Sequence, residues 1–422
     1  MRGGCLRSLP SKSNHGHSAV QPIPVSRTAT PHMLVSKSTS LAVLHVALEP
    51  TSGVWSVMRD VSLAQAKSDR YRAVGIGVVA SPQWPSIYAK AFSRLDLPRY
   101  CCGTICAFGT AKFLCQRLIR PPIAKWADEL RCTSNADQVV VHFHNAWLSG
   151  VFLPLSHPNH GRIRVVVTFH GVCTTLQREP VRRWLHRWMA QRLLRFNAIL
   201  TSVDAANLLL AADTFGLPPE RFSIVHNGVS AAPELCAAEW GGAGAFVVGY
   251  IGLLAEHKGW SMVADAVLMV RAGGRNVRLE IAGAGPQAMQ ARSRAEAHPD
   301  AITFHGHLPD PRAHLMPRLH VLSLMSTYEG LPMVLIEAAS VGLPVVATAT
   351  GGVRDILHDG ATGIVVHRTV EALAAAISDL YDDPARLAGM SRSARALHAQ
   401  QFEIVKVTQM YHNVYQMEQR LP

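Results

Sequence analysis

The chain has 422 residues, 48% apolar and 17% charged, the composition of a folded protein of two or three domains; a disordered chain is excluded. Its net charge of +12 comes entirely from the first part: residues 1–230 hold 26 Lys and Arg against 11 Asp and Glu, residues 231–422 hold 15 against 18. No apolar run approaches the roughly 20 residues that cross a bilayer, and the eight cysteines include no Cys-x-x-Cys pair, which excludes a disulfide scaffold and points to the cytoplasm.

Residues 1–40 have basic residues, Ser, Pro and Gly but no acid and no apolar period, and read as a disordered basic tail or an over-extended start ahead of Met33. Short β-rich runs then alternate with helical stretches. Strands are expected at Leu41–Leu48, Ala73–Val79, Gln138–Phe143, Arg164–Phe169, Ala198–Ser202 and Ser223–His226. A second series follows at Ala245–Gly252, Arg278–Ala282, Ile302–His305, Val321–Met325, Pro344–Ala347 and Gly363–Val366. Several of these runs are apolar on both faces, as in parallel strands covered on both sides by helices. Asn227–Gly244, rich in Gly, Ala and Pro, reads as the linker. The fold class is therefore α/β: two doubly wound, Rossmann-like domains, residues 41–230 and 231–400, facing each other across a cleft where ligands bind. A C-terminal helix, 401–422, is expected to return to the first domain.

The most informative segment is Ser326-Thr327-Tyr328-Glu329-Gly330-Leu331-Pro332-Met333-Val334-Leu335-Ile336-Glu337. A strand feeds a loop holding Glu329, Pro332 opens a helix, and that helix carries Glu337 toward the same cleft. The free amides at its start suit an anion such as a diphosphate. This segment, continued through Gly342, Pro344 and Gly351-Gly352-Val353, resembles the E-x7-E signature of retaining glycosyltransferases of the GT-B fold, family 4. His226-Asn227-Gly228-Val229, Gly252, Lys258-Gly259, Gly283-Ala284-Gly285-Pro286 and His305-Gly306 fall in that family's order.

The resemblance implies roles. Glu337 would grip the donor's ribose, and Glu329 would contact the donor sugar near its anomeric centre. Lys258 and the Gly330, Leu331, Pro332 and Met333 segment would hold the diphosphate, with Gly53 and Gly252 letting backbone approach it. His144 would stand at the active-site mouth, with His170 and Asn145 further cleft candidates. The implied reaction moves a sugar from a nucleotide sugar to an acceptor hydroxyl with retention, without a metal or other cofactor; no Asp-x-Asp occurs in the chain. One departure stands out: Leu253 occupies the position where the family usually has an arginine on the diphosphate. A catalytically impaired sugar-nucleotide or polysaccharide-binding relative, and a nucleotide-sugar epimerase, are the rival readings.

His142 and His144, two apart on a strand, share a face and can in principle share a metal, but no third ligand is recognisable nearby. Cys101, Cys102 and Cys106 read as structural thiols. Pro180 to Phe196 predicts an amphipathic helix with Val181, Trp184, Leu185, Trp188, Met189, Leu193 and Phe196 on its apolar side. Arg182, Arg183 and Arg187, with Trp184 and Trp188 at the rim, are candidates for contact with anionic lipid or a lipid-linked acceptor, as in surface polysaccharide assembly. Lys112, Arg117, Arg120 and Lys125 form a second basic patch. No nucleic-acid module appears, and nucleic acid is not expected as a partner.

Overall fold

The computed structural model describes residues 40–48, 53–80, 96–103, 123–144, 162–171 and 180–417. Asn145, the patch residues Lys112, Arg117 and Arg120, Cys106 and the N-terminal tail lie outside them, as does the side chain of Arg182.

The first series of apolar runs forms one parallel sheet. In chain order the elements are β1 (Leu41–Leu48), α1 (Gly53–Ala66), β2 (Tyr71–Ala80), β3 (Arg99–Gly103), α2 (Ile123–Ser134), β4 (Gln138–Phe143), β5 (Ile163–Phe169), α3 (Pro180–Arg195), β6 (Ile199–Ser202), α4 (Ala205–Phe215) and β7 (Phe222–Ile224). Their order across the sheet is β3-β2-β1-β4-β5-β6-β7. Val43, Leu44, Val140, Val141, Val166 and Val167 are all at most 2% exposed, so both faces of the central strands are covered. Each such side chain contributes about 1.5–3 kcal/mol of burial.

The second series repeats the plan: β8 (Phe246–Ile251), α5 (Trp260–Ala272), β9 (Val277–Ala282), α6 (Ala288–Ala297), β10 (Ile302–Gly306), β11 (Val321–Leu324), α7 (Met333–Ser340), β12 (Val345–Thr348), β13 (Gly363–Val366), α8 (Val370–Asp382), α9 (Pro384–Leu397) and α10 (Ile404–Gln416). The order is β10-β9-β8-β11-β12-β13, again parallel. Two doubly wound, Rossmann-like sheets are thus present. In each, strand order reverses at one place, between β1 and β4 and between β8 and β11. Loops splay apart at such a reversal and leave room for a ligand at the strands' carboxyl ends. His144 follows β4; Lys258 and Glu329 follow β8 and β11.

The chain passes between the sheets twice, side by side. Val229 N–H donates to Phe402 O at 2.9 Å and Ile404 N–H to Val229 O at 3.2 Å. Gly228 permits this closeness, since a Cβ there would stand 2.7 Å from Val407 Cγ2. Val407, Tyr411, Val414 and Tyr415 of α10 are buried with Val43, Val57, Val61, Val140 and Val166 of the first domain.

Two features differ from expectation. β3, Arg-Tyr-Cys-Cys-Gly, is an edge strand in a stretch read only for its thiols. On α3, His186, Ala190 and Leu193 face inward, whereas Trp184 is 66% and Trp188 44% exposed. Among the described side chains of this helix, His186, Ala190 and Leu193 supply the inward contacts, with the His186 ring stacked on Phe215 of α4.

Candidate active site

After β8 the chain makes one 3-10 turn, Glu256–Lys258, and Gly259, at φ +70°, opens α5. A Cβ at Gly259 would overlap Met325 O, so this glycine lets the turn lie against the end of β11. The consequence is an ion pair: Lys258 Nζ lies 2.7 Å from Glu329 Oε1 and 2.8 Å from Oε2. Ser326 Oγ donates to the same carboxylate at 2.6 Å. Glu329 is 8% exposed, so its charge rests on these partners. Behind it, Gly351 at φ +54° presses its backbone onto Glu329 O, where a Cβ would overlap.

Gly330, Leu331 and Pro332 lead into α7, whose first residue is Met333; extended Pro332 is its N-cap. The Met333 and Val334 amides stand at the start of the helix without a helical acceptor. Glu337 lies on the same helix, half-buried. Burial pushes its carboxyl above the ordinary range; Arg312 and Arg59 oppose that, and Asp60 and Asp310 add to it. Arg59 and Asp60 come from α1 of the first domain and pair at 2.7 Å. None of Arg59, Asp60 and Arg312 was singled out from sequence, since isolated charges in a helix or loop carry no spacing signal.

From the first domain, His144 N–H donates to Val46 O at 2.9 Å. Its ring is 1% exposed, with Nε2 2.8 Å from His45 Nδ1 and Nδ1 3.1 Å from His170 Nε2. His170, half-buried, stands between His144 and the second domain: a Cβ at Gly330 would be 2.6 Å from His170 O. Burial lowers His170 to about 4, with Asn227 acting the other way. Tyr328 Oη donates to Asn207 Oδ1 at 3.0 Å and Asn227 Nδ2 to Leu331 O at 3.2 Å, tying the two walls together. Asn207 is itself held by Asp204, the N-cap of α4. Gly53 is the first residue of α1, and Gly252 pairs with Ala282 O at 3.0 Å beneath Leu253, which is 47% exposed.

The fold therefore brings Lys258, Glu329, Gly330, Leu331, Pro332, Met333 and Glu337 to one wall, with His170 opposite and His144 behind it. Arg183, Arg187, Trp184 and Trp188 lie apart on α3. A third histidine for His142 and His144, which the sequence did not reveal, is His45, placed opposite His142 by the register of β1 on β4. One ring nitrogen from each lies within 4.8 Å of the others. Both nitrogens of all three rings already have hydrogen-bond partners.

Two family profiles match this architecture in tandem. "Glycosyltransferase Family 4" covers residues 104–232 and "Glycosyl transferases group 1" covers residues 245–383. A glycogen synthase of Mycobacterium tuberculosis is 31% identical over 207 residues, 48% of this chain and 50% of that protein. The colanic acid biosynthesis glycosyltransferase WcaL of Salmonella typhimurium, itself named as putative, is 25% identical over 259 residues, 58% of this chain and 61% of its own length. The chain thus spans about half the length of the curated relatives it matches. Anabaena HepE, solved with UDP-glucose, superposes with a TM-score of 0.67 at 18% identity, over 89% of this chain and 99% of that one. With a matching profile on each of its two doubly wound domains, the chain belongs to the group 1, family 4 glycosyltransferases of the GT-B fold.

Proposed function

We propose that this protein transfers a sugar from a nucleotide-diphosphate sugar to an acceptor hydroxyl with retention at the anomeric carbon. The observation that carries the reading is the Lys258–Glu329 pair at the strand-order reversal of the second sheet, beside the amides that open α7. A diphosphate entering there draws Lys258 off Glu329, and the lysine with the Met333 and Val334 amides offsets the charge that grows on the leaving group. Glu337 accepts from the ribose hydroxyls through its carboxyl oxygens. Glu329, relieved of its lysine, faces the sugar ring. The acceptor oxygen attacks on the face the diphosphate leaves, the C1–O bond to phosphate breaks, and the departing phosphate oxygen takes the acceptor's proton. This charge balance uses a lysine and backbone amides and calls for no metal.

HepE was solved with UDP-glucose, which makes a UDP-hexose the first donor to try. WcaL is named for colanic acid biosynthesis, and the exposed Trp184 and Trp188 beside Arg183 and Arg187 suit an anionic lipid surface; both favour a glycan or lipid-linked acceptor. One observation favours a second reading, an impaired, binding-only relative: Leu253 puts an exposed apolar side chain where the family's second diphosphate cation would stand. Incubating the protein with UDP-glucose, with and without EDTA and with and without membrane extract, and following UDP release separates the two. Release at the same rate with and without EDTA supports the transferase; nucleotide binding without release supports the second reading.

A further inference from the structure

The histidines behind the cleft belong to one hydrogen-bonded chain of buried side chains, and its direction follows from its far end. Thr201 Oγ1 reaches Val167 O at 3.4 Å, and Thr168 Oγ1 lies 2.6 Å from Thr201 Oγ1. A carbonyl only accepts, so Thr201 donates to Val167 and Thr168 donates to Thr201. His142 Nε2, 2.7 Å from Thr168 Oγ1, must then carry a proton, which leaves its Nδ1 bare to accept from Tyr415 Oη at 2.8 Å. Tyr415 in turn accepts from the Gln65 amide nitrogen at 3.3 Å, turning Gln65 Oε1 toward His45. His45 Nε2, 2.7 Å away, donates to it, and its bare Nδ1 accepts from His144 Nε2. His144 Nδ1 is bare by the same rule and accepts from His170 Nε2.

We propose that Gln65 and His45 are positioning residues that, acting through His144, lock His170 in the Nε2–H tautomer and leave its Nδ1 as the acceptor for a substrate hydroxyl. That the ligand is a sugar rests on the transferase reading. Burial keeps the rings neutral: His45 and His170 fall to about 4, and His142 and His144 well below their ordinary value. A metal on His45, His142 and His144 would have to break the His45–His144 bond and free one His142 nitrogen from Tyr415 or Thr168. Because Tyr415 lies on α10, the helix that returns from the second domain is itself a link in the lock.

The test is a long-range 15N–1H spectrum of the full protein labelled on histidine nitrogens, with His170 assigned by difference from His170→Gln. The wild type is expected to show neutral His45, His144 and His170, each protonated at Nε2. Gln65→Leu and His45→Phe should turn His170 into a mixture of tautomers. Gln65→Glu, whose carboxylate still accepts from His45, should keep the single tautomer. With a sugar nucleotide that binds, Gln65→Leu should lower turnover by roughly tenfold or more while its KM stays within about twofold, as wrong-tautomer variants do. A proton on His170 Nδ1 in the wild type, an unchanged His170 signal in both disrupting variants, or stoichiometric zinc lost with His45→Phe would each overturn the proposal. The spectra answer whether or not any sugar nucleotide binds, so failure of the transferase reading is seen separately.

Discussion

Lys258 Nζ is within 2.8 Å of both carboxylate oxygens of Glu329, 71 residues further along the chain, so the two groups that the proposed reaction assigns to one ligand hold each other. Their side chains are 22% and 10% exposed. Such a pair is partly desolvated: breaking it by removing one partner costs more than the pair contributes, because the other charge is left buried.

Lys258→Met is accordingly expected to lower stability by about 2–4 kcal/mol. Glu329→Gln, which keeps an acceptor for Ser326, should cost about 1 kcal/mol. The double variant should lose less than the sum, and chemical denaturation of the four proteins measures that coupling. Additive losses would mean that the pair does not interact in solution.

Glu337 sets stability against binding. Its carboxyl is raised by burial, so the folded protein holds the proton more tightly than the unfolded chain and is destabilised once pH exceeds the ordinary value of 4.5. Glu337→Gln should therefore raise Tm at pH 7.5, with the gap closing below pH 4.5, while donor affinity is lost. An equal or lower Tm at pH 7.5 would contradict this account.

The buried histidines act in the opposite direction along the pH scale. His45, His142 and His144 are at most 1% exposed and have lowered values, so the unfolded chain gains protons that the folded one refuses. Stability is complete above 6.5 and drains below it, by about 1.4 kcal/mol per pH unit for each histidine. Urea midpoints at pH 7.5, 6.5 and 5.5 should be nearly flat across the first interval and fall steeply across the second.

Much of this was legible because parallel strands covered on both faces are apolar at every position, as in Val139 to Val141 and Val165 to Val167. Gln138–Phe143 and Gly363–Val366 were placed to the residue. The β3 edge strand lacks that signature. The Glu329 to Glu337 segment was readable because its loop, N-cap and helix are contiguous. His45 and Gln65 were not, since 99 residues separate His45 from His144 and 350 separate Gln65 from Tyr415. Only strand register and the returning α10 bring them together. On α3 the sequence counted Trp184 and Trp188 both in the apolar stripe and at the rim, because a tryptophan in an apolar period looks the same inward or outward; the structure exposes both.

Those tryptophans yield a further expectation. Full-length protein should sediment with vesicles containing anionic phospholipid, less so in high salt, each rim arginine contributing about 1 kcal/mol. Trp184→Ser with Trp188→Ser should abolish sedimentation with little change in Tm, since both side chains are already exposed. Sedimentation equal to that with neutral vesicles would leave this surface without a lipid role.

The central claim is that the second sheet's reversal point is a nucleotide-sugar site. Calorimetric titration with UDP-, GDP- and ADP-sugars, in EDTA, tests it most directly when repeated with Glu337→Ala. The account predicts saturable binding of one nucleotide class by the wild type, weakened by roughly tenfold or more in Glu337→Ala because the ribose hydroxyls lose a charged acceptor. Failure of every sugar nucleotide to bind, or binding that Glu337→Ala leaves unchanged, would contradict it.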